Sequence, residues 1–195
     1  MRICNIIGFI VLLATSCEPP MPPTDEEMIR LFHTHETAFR KVRDIIAEHS
    51  EGSFHNPPLC PYEDIMPDST EAQGEPSDEP EYGQDTTMFG LTKKERRQLD
   101  SLLTAIGCGF MRVDREEREV KDSASVSLVL VYYSHGIVDA GTSKCFVYDP
   151  GLKSRQYICI TEHGDLNEIY RRTYNDTTLY KPIKGDWYIE LDHSR

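Results

Sequence analysis

The sequence predicts an α+β domain: two N-terminal helices packed on one face of a mainly antiparallel sheet of five or six strands. Three observations carry this reading. Apolar residues recur at helical spacing in two separate segments of the first half. From Phe110 onward the pattern changes to period two. Turn residues then punctuate the second half at short intervals, the mark of consecutive antiparallel strands.

The first helix opens at Thr24. Thr24-Asp25-Glu26-Glu27 has the form of a capping box, in which the Thr24 hydroxyl takes one orphan amide and Glu27 reaches back. Acidic residues in that turn also suit the helix dipole. Met28, Phe32, His35, Phe39, Val42 and Ile46 then recur at spacings of three and four, broadened by Ile29, Leu31 and Ile45. The spacing predicts one helix from about Asp25 to about His49. The second helix repeats the device: Thr92 is the cap and Glu95 the box residue, with Leu99, Leu102, Leu103 and Ile106 as its apolar face. Gly107 and Gly109 end it, and it should pack on the first helix. Lys93, Lys94, Arg96 and Arg97 sit at its start, where the dipole disfavours them; they offset the acidic linker before it.

That linker covers about residues 62–88. Prolines such as Pro67, Pro76 and Pro80 break any regular element, and acidic residues supply charge of one sign. This composition predicts disorder within the domain.

In the second half, Phe110–Asp114 reads as a short strand and Arg115–Asp122 as a charged turn. Ala124–Ser134 is the strongest strand, with Val126, Leu128, Leu130 and Tyr132 on one face and Ser127, Val129, Val131 and Tyr133 on the other. His135-Gly136 and Asp139-Ala140-Gly141 read as turns, Ser143–Tyr148 as a strand, and Asp149-Pro150-Gly151 as a turn. Gln156–Thr161 is the next strand and Asp165–Tyr170 a short helix capped by Asp165 with Glu168. Thr178–Ile183 and Trp187–Leu191 form a hairpin around Lys184-Gly185, and Pro182 marks its first strand as an edge. The sheet face away from the helices must stay partly wet or meet a partner.

The N-terminus sets the compartment. Arg2 is the only charge before Glu18, and the stretch between is apolar except at Asn5 and Gly8 until small residues close it. This is the pattern of a secretory signal peptide over residues 1–16 and is too short to span a bilayer. Leu13-Ala14-Thr15-Ser16-Cys17 is similar to the lipobox of bacterial lipoproteins, in which Cys17 becomes the lipidated first residue. The lipobox prefers Leu where Ala14 stands, and Ala14-Thr15-Ser16 also suits ordinary cleavage to a soluble secreted chain. Parity favours lipid: with Cys17 acylated, Cys60, Cys108, Cys145 and Cys159 leave an even number of thiols. Residues 17–23 then form a lipidated Cys and a stiff Pro-rich tether, and residues 24–195 the domain. Diacylglyceryl and amide-linked acyl (palmitate-type) chains together give stable attachment to a lipid bilayer.

Charge and composition narrow the function. The chain of 195 residues carries 33 Asp+Glu against 21 Lys+Arg, a formal net charge of −12. So acidic a protein is a poor ligand for DNA or RNA and favours a basic partner. The sequence lacks a Gly-rich phosphate loop, and no cofactor is implied.

Several short motifs, in order, resemble a family of small uncharacterised lipoproteins of Gram-negative bacteria. They are Thr-Asp-Glu-Glu leading into a helix with spaced Phe and His (Thr24–Phe39), a Gly-rich break before the sheet (Gly107–Phe110), Gly-x-Ser-Lys-x-Phe/Tyr-x-Tyr (Gly141–Tyr148) and Tyr-x-x-Ile-x-Gly-x-Trp-Tyr (Tyr180–Tyr188). The resemblance spans Thr24–His49 and Leu91–Asp192. It implies fold and envelope location, and it brings no activity.

The candidate chemistry is sparse. His33 and His35 point about 160° apart on a helix, so they do not chelate one ion together, and His33 with Glu36 gives only two ligands. Ser134 and His135, adjacent on a strand, point to opposite faces and do not form a nucleophile–base pair directly. A hydrolase using His135, oriented by Asp139, is the weakest of the readings. Cys145 and Cys159 fall opposite each other if Tyr148 pairs with Gln156 across the Pro-Gly turn, a spacing that permits a disulfide; two unrelated buried thiols are the competing reading. Cys60–Cys108 would then follow by elimination. Six of the ten tyrosines lie in expected strands, where sheet packing competes with partner binding as their role. The reading that emerges is a non-enzymatic envelope lipoprotein, with no catalytic residue and no metal. Lipid on Cys17 anchors it, at the outer membrane by virtue of Glu18, and it serves an unidentified protein partner. A periplasmic inhibitor or immunity-like protein is the first alternative.

Overall fold

Both capping boxes form. In the computed structural model, which describes residues 21–47, 52–55, 91–116, 125–137, 140–173 and 175–194, Thr24 Oγ1 accepts from the Glu27 amide at 3.2 Å while Glu27 Oε2 takes the Thr24 amide at 2.8 Å. Thr92 and Glu95 repeat this exchange. The signal peptide, Cys17, Cys60, the 62–88 linker and Asp139 lie outside the described residues.

The first helical segment is two helices, not one. α1 (Asp25–Thr34) stops at His35, whose φ of −114° and ψ of 22° leave the helical region, and α2 (Glu36–Ile46) restarts at once. The apolar stripe survives the break, with Met28, Phe32, Phe39, Val42 and Ile46 all buried. A single distorted residue shifts the helical phase too little to move the stripe off the core, so the apolar spacing carried no sign of it. α3 (Lys93–Ile106) packs on α2 and ends at Gly107, whose φ of +71° places it in the left-handed region. There glycine is the ordinary choice. A Cβ on Gly107 would also stand 3.1 Å from the Tyr132 ring.

The sheet has seven strands among the described residues, rather than five or six. They are β1 (Gly52–His55), β2 (Phe110–Glu116), β3 (Ser125–Ile137), β4 (Ala140–Tyr148), β5 (Cys159–Ile160), β6 (Thr177–Lys184) and β7 (Trp187–Ser194). Their order is β1-β2-β3-β4-β7-β6-β5, antiparallel everywhere except between β5 and β6. The additional strand is β1, four residues long and without a periodic signal of its own.

Two further expectations are corrected. His135-Gly136 is not a turn: β3 runs on to Ile137, and His135 pairs with Thr142. The Asp149-Pro150-Gly151 turn does form, with Asp149 Oδ1 accepting from the Gly151 amide at 2.7 Å. It does not close a hairpin. A 3₁₀ turn (Leu152–Ser154) follows, and the chain crosses to the far edge of the sheet, where β5 pairs with β6. The short helix α4 (Leu166–Arg171) then forms behind its Asp165 cap, though the cap bond goes to the Asn167 amide without a Glu168 box.

Period two sorts the side chains. Leu128, Leu130, Phe146, Ile189 and Leu191 share one core with residues of α1, α2 and α3. The Phe39 ring lies 4.7 Å from Phe146 and 5.4 Å from Trp187. The alternate residues Val129, Cys145, Val147, Tyr180 and Tyr188 form a second cluster on the opposite face, closed by Leu152 from the 3₁₀ turn.

Candidate functional site

The inward row of β4 is Lys144, Phe146 and Tyr148, so alternation carries one lysine into an apolar row. Lys144 is fully buried, and burying an ammonium is costly unless hydrogen-bond acceptors and an opposing charge surround it. Three acceptors surround it: Asp25 Oδ1 at 2.7 Å, the Pro23 carbonyl at 2.7 Å and Asn167 Oδ1 at 3.0 Å. Nζ donates hydrogen bonds to the Pro23 carbonyl and to Asn167 Oδ1, while Asp25 Oδ1 supplies the opposing charge as an ion pair.

Asp25, only 2% exposed, is the hub. Its Oδ2 accepts from Lys181 Nζ and from the Leu166 amide, both at 2.9 Å. Its own amide donates to Asp165 Oδ2 at 2.8 Å. The starts of α1 and α4 therefore cap each other: the Asp165 carboxylate binds the first amide of α1, and the Asp25 carboxylate binds the first amide of α4. Asn167 completes the clasp by donating from Nδ2 to the carbonyls of Pro22 at 2.9 Å and Pro23 at 3.2 Å. Two lysines and two aspartates balance in formal charge.

Beside the clasp lies an open groove of about 380 Å³, lined by Pro23, Glu27, Arg30, Leu31, Thr34 and Tyr132. On the opposite sheet face Cys145, Glu190 and Tyr180 stand in one cross-strand row. Burial pushes the Glu190 carboxyl above the ordinary glutamate range, against a hydrogen bond from Tyr180 that pulls it down. Burial and the neighbouring Glu190 likewise push the Tyr180 phenol and the Cys145 thiol up, the thiol to about 12. A thiol held protonated is a poor nucleophile.

The residues singled out from sequence do not converge. Cys145 and Cys159 are both free. β4 and β5 are separated by β7 and β6, three strand spacings or about 14 Å, well beyond disulfide reach. The expected bridge is excluded because the chain leaves the Pro-Gly turn for the far edge rather than folding back. Cys108 is also free and buried. His135 is exposed on β3 next to exposed Ser134. Among the described residues, no cluster of three or more His, Cys, Asp or Glu side chains could hold a metal, and no helix is long and apolar enough to cross a membrane.

A family model described as "Domain of unknown function (DUF4948)" matches residues 21–195. The chain belongs to that family. No curated protein and no solved structure matches it. The DUF4948 match takes in every clasp residue, Pro22 and Pro23 included, and leaves Cys17 outside. Lys144, Asn167 and Lys181 of this DUF4948 chain went unrecognised as a unit at the level of sequence. One signal for them existed: a charge at an inward strand position, with an aspartate at the first position of a capped helix.

Proposed function

We propose that the chain is a non-enzymatic lipoprotein of a Gram-negative envelope, which holds its α+β domain at a membrane surface, the outer membrane by preference, through acyl chains on Cys17. The mature protein begins at Cys17 after removal of residues 1–16. One observation carries this reading. The carbonyls of Pro22 and Pro23 are fastened to Asn167 and Lys144, so the tether between Cys17 and the domain is short and ends on a buried ion pair. A Pro-rich spacer stapled to the domain suits a protein held close to a bilayer rather than one swinging on a long leash. In this reading the N-terminal helices cover one face of the sheet, a packing supported by the contact of Phe39 with Phe146. With a net charge of −12, the domain favours a basic protein partner.

The test is metabolic labelling of expressing cells with an alkyne-bearing fatty acid, followed by membrane fractionation of wild type and Cys17→Ser. Label in the wild type that is lost with the variant, together with loss from the membrane fraction, is the expected result. Recovery of unlabelled wild type in soluble form, either with Met1 still attached or with an ordinary cleaved N-terminus, overturns the reading.

A further inference from the structure

The segment between the 3₁₀ turn and β5 carries an aromatic ring that the domain itself does not bury. Tyr157 has a φ of +67°, and it is the one residue other than glycine with a positive φ among the described residues. A bulky side chain in that region of backbone space is strained, and a turn that requires it ordinarily takes Gly or Asn. Packing offers no compensation: Tyr157 is 100% exposed, whereas Met21, the other exposed large apolar residue described, is at 44%. The flanks of Tyr157 are fixed. Arg155 pairs with Asp149 at 2.7 Å, Ile158 and Ile160 pack on the second apolar cluster, and the Thr161 amide donates to the Tyr180 carbonyl at 2.8 Å. The ring is therefore held out into solvent, at a cost in stability, by a segment secured on both sides. Strain of this kind gathers at sites of recognition. Tyrosine is also among the residues that dominate interfaces, because its ring buries much area with little side-chain freedom to lose.

The neighbouring backbone is open as well. β5 ends the sheet, with no strand beyond it among the described residues. In its parallel ladder with β6 the backbone groups of Cys159 and Thr161 face β6, so the amide and carbonyl of Ile160 between them point outward. We infer that Tyr157 and the outer edge of β5 form a docking surface for an extended basic segment of a protein partner. The segment adds as a strand beside Ile160, and one of its Arg or Lys side chains lies over the Tyr157 ring. Charge selects this occupant. A chain with a net charge of −12 draws a cationic segment and repels a second copy of itself, and an exposed ring attracts cations through its face. The surface deepens the proposed function by giving its basic partner a place on the fold, and the basic character rests on that reading; the acyl chain on Cys17 plays no part in it.

The experiment uses the mature protein as purified from expressing cells, acylated or not, so that its outcome is independent of Cys17. Strain is tested first. Tyr157→Gly should have a higher urea midpoint than both wild type and Tyr157→Ala, because only glycine relieves a positive φ and neither change removes a contact. Binding is then probed with a fluorescent peptide of about nine alternating Arg and Thr residues. The controls are the matching Glu/Thr peptide and an Arg/Thr peptide with a proline at its centre. The Arg/Thr peptide should bind, slow exchange of the Ile160 amide, and lose about ten-fold in affinity with Tyr157→Ala. Both controls should bind more weakly by a similar factor, the second because proline has no amide to pair. Equal midpoints for the glycine and alanine variants overturn the inference, as does failure of the Arg/Thr peptide to bind. So does binding that ignores Tyr157 and leaves Ile160 unprotected, since the affinity then belongs to acidic charge elsewhere in the chain. Self-association of the wild type that Tyr157→Ala abolishes overturns it in favour of a second copy. Equal binding of the Glu/Thr peptide through Tyr157 overturns the basic segment, and with it the basic partner of the proposed function, while leaving acylation of Cys17 standing.

Discussion

Lys144 Nζ stands 2.7 Å from Asp25 Oδ1, and both side chains are sealed from solvent. The pair is asymmetric. Asp25 also holds Lys181 and the Leu166 amide, whereas its ion pair with Asp25 is the one that compensates the charge of Lys144. Removal of Asp25 strands a buried cation, opens the start of α4 and takes from Lys181 its carboxylate partner in the clasp, leaving its bond to the Gly164 carbonyl. Asp25→Ala should therefore cost about 3–5 kcal/mol in urea unfolding, a large share of a typical domain's stability. Lys144→Met, which keeps the volume and leaves Asp25 paired with Lys181, should cost distinctly less. The double variant should fall short of the sum, because both changes act on one network. Additive losses would show the two residues to be independent.

Trp187, the lone tryptophan, reports on the join between helices and sheet. Its ring lies 5.5 Å from Phe32 of α1, 5.4 Å from Phe39 of α2 and 5.3 Å from Tyr148 of β4. Phe39→Ala should cost about 3–5 kcal/mol, by lost transfer free energy and a cavity. Trp187 emission in the folded variant should shift to the red as water reaches the gap. A loss below 1 kcal/mol with unchanged emission would mean that α2 does not rest on the sheet.

Glu190 gives stability a dependence on pH with a definite sign. Its folded carboxyl titrates above the ordinary glutamate range, mainly by burial. Between the ordinary and the raised value the folded state holds the extra proton, so unfolding releases it. Stability therefore falls as pH rises through that window and is not recovered above it. Glu190→Gln removes the titration. Urea midpoints for wild type and variant should be close in acid and diverge in the variant's favour as pH rises through the glutamate range. A constant offset at all pH values would assign the difference to packing alone.

The legible parts of the fold were those encoded locally. Thr24 with Glu27 and Thr92 with Glu95 each close a box within four residues, and the alternation through Leu128, Val129 and Leu130 sorts two faces from a single strand. Both could be read because the partners are neighbours in sequence. The destination of the chain after Asp149-Pro150-Gly151 was not legible. A tight turn fits a hairpin equally well, and the choice is made by burial of Leu152 on the second face and by pairing of Cys159 and Ile160 with Leu179 and Tyr180. The clasp failed for the same reason: Asp25, Lys144, Asn167 and Lys181 come from four elements, and their alignment exists only once the sheet and α4 are in place.

The cysteines give the most direct check on that topology. Cys159 is exposed, while Cys145 and Cys108 are buried free thiols, both pushed upward chiefly by burial. A thiol needs exposure and thiolate character to react. In native protein without reductant, a brief pulse of iodoacetamide should modify Cys159 and leave Cys108 and Cys145 untouched; in denaturant all three should react. Peptide mapping should recover the Cys145 and Cys159 peptides separately whether or not reductant is present. A linked Cys145–Cys159 peptide that disappears on reduction would require β4 and β5 to be neighbours, and it would overturn the strand order from β4 to the β5 edge.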